Sequence, residues 1–157
     1  MNKYLISQTA MGQVEEELEK IRKVNKPQVI EAIATARDHG DLKENAEYHA
    51  AKEQQAFLEN RLSELELIQK TAEVIDILSI NSNRILFGAT VELLEETEGK
   101  TYTYQILSSF EADVSSGIVG INSPLAKALL GKETKELVEF STPSKIKQFK
   151  VLSIKYI

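Results

Sequence analysis

The sequence predicts an α+β protein in two domains. Residues 1–80 read as an antiparallel α-helical coiled-coil hairpin, and residues 84–157 as a small domain with an antiparallel sheet and one short helix. Three observations predict this. Apolar residues recur at spacings of three and four from Met11 to Ile75, with one sharp break at 38–48. The polar link Asn81-Ser82-Asn83 ends that pattern. Beyond it, short strand-like runs alternate with turn residues around a single Ser-Pro-initiated helix.

The first eight residues read as a short lead-in, with Ser7 or Thr9 as the cap of the first helix. Met11, Val14, Leu18 and Ile21 then form a seam, and Glu15, Glu16 and Glu17 a solvated acidic face. Pro27 removes one hydrogen bond and crowds the turn before it, which predicts a kink or short break near Asn25 to Pro27. The apolar set resumes with Val29, Ile30, Ile33 and Ala34, and the small Ala32, Ala34 and Ala36 allow a close approach of the arms. Gly40 suits the positive-φ position that ends a helix. Asp41 suits the N-cap of the next one, with Glu44 three residues on as its capping-box partner. The second arm then runs to about Asp76, its stripe being Ala46, Ala50, Phe57, Leu58, Leu62, Leu65, Ile68, Ala72 and Ile75. At ~1.5 Å per residue, an arm of about 30 residues reaches ~45 Å, which carries the 38–48 tip well away from the rest of the chain.

In the second half, strands are expected at 89–94, 101–107, 117–121, 137–141 and 146–157. Ser123 caps a helix with Pro124 at its first position, and Gly131 stops it.

Composition narrows the function. The 157 residues include no cysteine, which removes disulfides and thiolate metal sites. No signal pattern opens the chain and no apolar run nears the ~18 residues of a membrane span, so a soluble, cytoplasmic protein is expected. The net charge is −5. Residues 1–80 carry 10 Lys/Arg against 15 Asp/Glu, whereas residues 81–157 carry 9 of each. An acidic hairpin argues against autonomous binding of DNA or RNA.

Four groups of residues could carry chemistry. Asp41 and Glu44 either cap a helix or contribute to a hard-cation site, and the two roles are compatible. Two carboxylates cannot complete such a site, so any ion would be weakly held and shared. Arg37 and Lys52 either sit across the hairpin to contact a phosphate backbone or simply balance the acids. Asn45 and Tyr48 could hydrogen-bond to or stack on a base, with packing of Tyr48 on the first arm as the alternative. The helix at 123–132 is either an interaction surface, with Ser123, Pro124, Lys127 and Lys132, or a cover for the sheet. His39 and His49 are too far apart for the helical metal-ligand spacing of four and read as surface residues. No complete active site is present.

The run Ala36-Arg37-Asp38-His39-Gly40-Asp41-Leu42-Lys43-Glu44-Asn45-Ala46-Glu47-Tyr48-His49-Ala50-Ala51-Lys52-Glu53-Gln54-Gln55 resembles the tip of the GreA transcript cleavage factors, of the GreA/GreB family. Phe87-Gly88-Ala89-Thr90-Val91 and Asn122-Ser123-Pro124-Leu125-Ala126-Lys127-Ala128-Leu129-Leu130-Gly131-Lys132 resemble that family's C-terminal domain. GreB factors carry a larger basic patch on the hairpin than this chain has, which favours the GreA branch.

The resemblance implies an FKBP-like second domain that docks at the rim of the secondary channel of bacterial RNA polymerase, through Ser123, Pro124, Lys127 and Lys132. It implies a hairpin inserted into that channel. There Asp41 and Glu44 help to hold a Mg²⁺ shared with the polymerase, none being stably bound by the free protein. Arg37, Lys52, Asn45 and Tyr48 contact the extruded 3′ end of the nascent RNA. The polymerase's own hydrolysis of backtracked RNA is then stimulated by a factor that acts as a monomer and is not itself an enzyme. A channel plug without cleavage and a self-sufficient metal-dependent hydrolase are the competing expectations.

Overall fold

The computed structural model describes residues 3–157. In chain order the elements are β1 (Tyr4–Ser7), α1 (Gln8–Lys20), a π-helical turn (Ile21–Asn25), α2 (Lys26–Arg37), α3 (Ala46–Thr71), β2 (Ala72–Ile75), β3 (Thr90–Glu95), β4 (Thr101–Leu107), β5 (Ile118–Gly120), α4 (Pro124–Leu129), β6 (Leu137–Ser141) and β7 (Ile146–Lys155). The fold is α+β. It divides into one compact unit at Met11–Ala72 and another made of the chain up to Ala10 together with Glu73–Ile157. Residues 3–10 and 73–80, expected with the hairpin, thus group with the sheet.

The hairpin unit is two helical arms. The break expected at Pro27 takes the form of the π turn, in which the Lys26 N–H donates to the Ile21 carbonyl. Proline lacks a donor and its ring crowds the carbonyl four residues back; a wider turn relieves both without ending the helix. Val14, Leu18, Ile21, Val29, Ile33 and Ala36 are buried on the first arm, and Ala51, Leu62, Leu65 and Ile68 on the second.

The stripe is narrower than the sequence reading. Ala32, Ala34, Ala46 and Ala50 are exposed, Ile30 is 52% exposed and Phe57 68%. Ile30 and Ala34 each follow a buried residue, and one residue on a helix is a rotation of about 100°. Ion pairs join the arms along their flanks. The Arg61 guanidinium donates to both Glu17 oxygens at 2.7 and 3.0 Å, Arg22 to Glu66 at 2.8 Å, and Lys26 lies 3.2 Å from Glu59.

The second arm ends at Thr71, not near Asp76, because Ala72–Ile75 is extended and pairs with β1 in a two-stranded sheet. Ala72 and Ile75 had fitted the helical period equally well; a β-branched side chain such as Ile75 suits either state until a partner strand decides. The expected lead-in is therefore strand β1. Ser7, rather than Thr9, caps α1, its Oγ accepting from the Ala10 N–H at 3.2 Å.

The sheet unit has strand order β5-β4-β3-β7-β6. All neighbours are antiparallel except β4 and β5, which run parallel, so the sheet is mixed where an antiparallel one was expected. A parallel neighbour needs a crossover. Residues 108–117 provide it and end at Gly117, whose φ is +78° and where a Cβ would lie 2.9 Å from the Thr103 carbonyl oxygen. Val91, Leu93, Ile106, Val138, Phe149 and Val151 meet Ala126 and Leu129 of α4 in one core. Ser123 caps α4 by accepting from Ala126 N–H at 3.2 Å, with Pro124 at its start.

Candidate functional site

The hairpin tip is the eight-residue turn 38–45 between α2 and α3. After Arg37 the helix tightens into three short bonds: Asp38 N–H to Thr35 O, His39 to Ala36 and Gly40 to Arg37, at 3.2 to 3.3 Å. Gly40 then turns the chain at a φ of +109°, a value that costs a residue without a Cβ least. Asp41 Oδ1 accepts from the Lys43 N–H at 3.0 Å, an Asx turn.

The cap of α3 is not Asp41. Asn45 takes that position, its Oδ1 accepting from the Tyr48 N–H at 3.0 Å. The helix starts at Ala46, so Asp41 lies too early to cap it and Glu44 precedes its first turn. The capping-box expectation therefore fails at both residues. Asn45 wins because its amide also reaches back across the hairpin, Nδ2–H donating to the Ala36 carbonyl. That second bond depends on a residue nine positions away, which local spacing does not reveal.

Asp41 and Glu44 are exposed. Among the described residues, the Glu44 carboxylate makes no hydrogen bond or ion pair, and Asp41 keeps one oxygen free. Both line a shallow cleft of about 490 Å³ with His39, Asn45, Ala46 and Glu47. No group of three or more metal-ligating side chains forms among the described residues. The tip thus offers two accessible hard oxygen donors and leaves the rest of any coordination shell to a partner, which is how Mg²⁺ is commonly held.

Arg37 and Lys52, from opposite arms, line one open cleft of about 230 Å³ with Ile30, Ile33, Ala34 and Gln55. Lys52 donates to Gln55 Oε1 at 3.2 Å, and the Arg37 guanidinium carbon stands 5.9 Å from the centre of the Tyr48 ring. The Tyr48 ring packs on the small cluster of Val29, Ile33 and Ala51, and meets His49 edge-on. His49 Nε2 bonds the Lys43 carbonyl at 3.0 Å, and His39 lies 3.9 Å from Glu47.

In the sheet unit, Lys127 lines a cavity of about 700 Å³ together with Lys3, Tyr4, Leu5, Ser108, Ser109, Ile121, Asn122 and Leu130. Ser123, Pro124 and Lys132 lie outside that lining. The N-terminal contribution went unread in the sequence, although Tyr4-Leu5-Ile6 carries the composition of a strand. That strand is bolted down by Glu111, whose carboxylate accepts from the N–H and Oγ of both Ser7 and Ser108. The Tyr4 hydroxyl adds a bond from the Phe110 N–H at 3.2 Å.

Comparison with known proteins matches residues 4–74 to the family model "Transcription elongation factor, N-terminal" and residues 80–156 to "Transcription elongation factor, GreA/GreB, C-term". The chain is 45% identical over 157 residues to transcription elongation factor GreA of Alkalilimnicola ehrlichii, with 99% of each covered. It is 48% identical over 157 residues to that of Paracoccus denitrificans, with 100% of each covered. Among solved structures, GreA factor homolog 1 of Thermus thermophilus aligns over 98% of this chain and 99% of that one, at 24% identity and a TM-score of 0.46.

Proposed function

Because the chain belongs to the GreA/GreB family of transcription elongation factors, we propose that it works inside bacterial RNA polymerase as a transcript cleavage factor. Its hairpin enters the secondary channel of a backtracked complex, and its tip meets the extruded 3′ end of the RNA. The factor stimulates the polymerase's own hydrolysis and contributes no active site by itself.

One observation carries this reading: Asp41 and Glu44 stand exposed on a turn whose following helix is capped by Asn45. Neither caps the helix: among the described residues Glu44 is free of the fold, and Asp41 spends one oxygen on the Lys43 N–H and keeps the other. A Mg²⁺ shared with the polymerase would orient a water and stabilise charge on the phosphate oxygens; Asp41 and Glu44 would hold it from the hairpin side. Arg37 and Lys52 face one cleft and meet the phosphates of the extruded RNA. Tyr48 is half-buried, its ring packed on Val29, Ile33 and Ala51 with Arg37 at 5.9 Å, which leaves only part of it for RNA. The region of Ser123, Pro124, Lys127 and Lys132 docks on the channel rim. The factor acts as a monomer in the cytoplasm, and its acidic hairpin avoids capture by free nucleic acid.

Cleavage of a stalled, backtracked complex tests this. The wild type is expected to release short 3′ fragments in the presence of Mg²⁺, and to leave free RNA intact. Asp41→Asn and Glu44→Gln should each slow release by roughly 100-fold, the scale of losing a contact at a metal site. Wild-type rates in both variants would remove the tip acids from the mechanism.

A further inference from the structure

The acids project from a turn that would otherwise be free to sample many shapes, and two polar side chains tie it down. Asn45 is one of only two half-buried residues between Arg37 and Ala50, the other being Tyr48. Its amide bridges the arms: Oδ1 accepts from Tyr48 N–H at the start of α3, and Nδ2–H donates to Ala36 O at the end of α2. His49, one helical turn further, reaches back over the tip to the Lys43 carbonyl at 3.0 Å. A carbonyl accepts, so Nε2 carries the proton in this bond. The imidazole also meets the Tyr48 ring edge-on, with centroids 5.7 Å apart.

We propose that Asn45 and His49 are positioning residues, which fix the turn from its two ends so that the carboxylates of Asp41 and Glu44 are presented in one arrangement. Asn45 secures both helix ends. His49 secures the backbone of Lys43, between the two acids in sequence. The inference rests on the cleavage reading, and it moves Asn45 from contact with RNA to support of the acids. Catalytic groups displaced by about 1 Å can lose on the order of 100-fold in rate, so such support has kinetic weight.

The test uses the full-length chain. Asn45→Ser keeps a competent N-cap and loses the bridge to Ala36. His49→Phe keeps an aromatic ring and loses the donor, and His49→Gln restores a donor. Backbone ¹⁵N relaxation of residues 40–44 in the free protein should report an ordered turn in the wild type. It should report faster local motion in Asn45→Ser and His49→Phe, and recovery in His49→Gln, while helix content by circular dichroism stays unchanged. In backtracked complexes, the same two variants should cleave at least about tenfold more slowly at saturating factor, with unchanged affinity for polymerase.

A mobile wild-type turn, or unaltered relaxation in both variants, would overturn the proposal. So would altered relaxation with wild-type cleavage. Slower cleavage with an unaltered turn would return Asn45 to direct contact with RNA, and would equally overturn it. A wild type that never stimulates cleavage would defeat the functional reading instead, whereas the relaxation data would still report whether these residues hold the turn.

Discussion

Asn45 uses both ends of its amide within the chain, while the neighbouring Glu44 uses neither oxygen among the described residues. This division of labour was only half legible. Both Asp41 and Asn45 are good caps, and the Asp-x-x-Glu spacing favoured Asp41; the deciding contact, with Ala36, is nonlocal. Packing of Tyr48 on the first arm was one of two alternatives the sequence left open, and the apolar surface of Val29 and Ile33 decides it. Elsewhere, Glu95 is buried and accepts from the N–H groups of Thr97 and Glu98 at 3.2 and 2.6 Å. The Glu98 bond foremost holds its pKa below the ordinary glutamate range. A lowered folded pKa stabilises above the unfolded value, roughly 4.3, and that stabilisation is lost as pH falls through the lowered value. Glu95→Gln should therefore melt below wild type at about pH 6, and the gap should narrow as pH falls below the unfolded value and on through the lowered one. A gap independent of pH would refute this role.

At the scale of elements, the hairpin arms and the strands from β3 onward were readable because their periods differ. β4 and β6 occupy the expected residues, and β7 stops two residues early, at Lys155. The strands β1 and β2 were not readable, since pairing between segments some 65 residues apart gives no local period. β5 was expected as a strand, but its parallel pairing with β4 was not, because strand direction is set by the crossover at 108–117 and leaves no mark in the local period. The 26 residues of α3 span ~39 Å, and a helix this long with little around it depends on its seam. Near the tip that seam narrows to Ala51 against Val29 and Ile33. Ala51→Leu should force the arms apart there, at a cost of about 1–3 kcal/mol. Thermal denaturation is expected to show a lowered Tm, and cleavage assays a reduced rate with both acids intact. An unchanged Tm would mean that the arms already have room for the larger side chain.

For the molecule as a whole, the uneven charge has a consequence. The acidic excess lies in residues 1–80, so the part that carries the two tip carboxylates is repelled by free nucleic acid. On the proposed reading, attraction to the complex comes from elsewhere, and Lys127 lines a cavity beside the N-terminal strand in the sheet unit. Delivery and chemistry should then be separable by mutation. The most direct measurement is competition: Asp41→Asn is added in excess to backtracked complexes together with wild-type factor, and the cleavage rate is followed. The account predicts that the variant occupies the polymerase and suppresses wild-type cleavage in proportion to its share, while cleaving almost nothing itself. A variant that cleaves at the wild-type rate, or one that is inactive yet fails to compete, would contradict it.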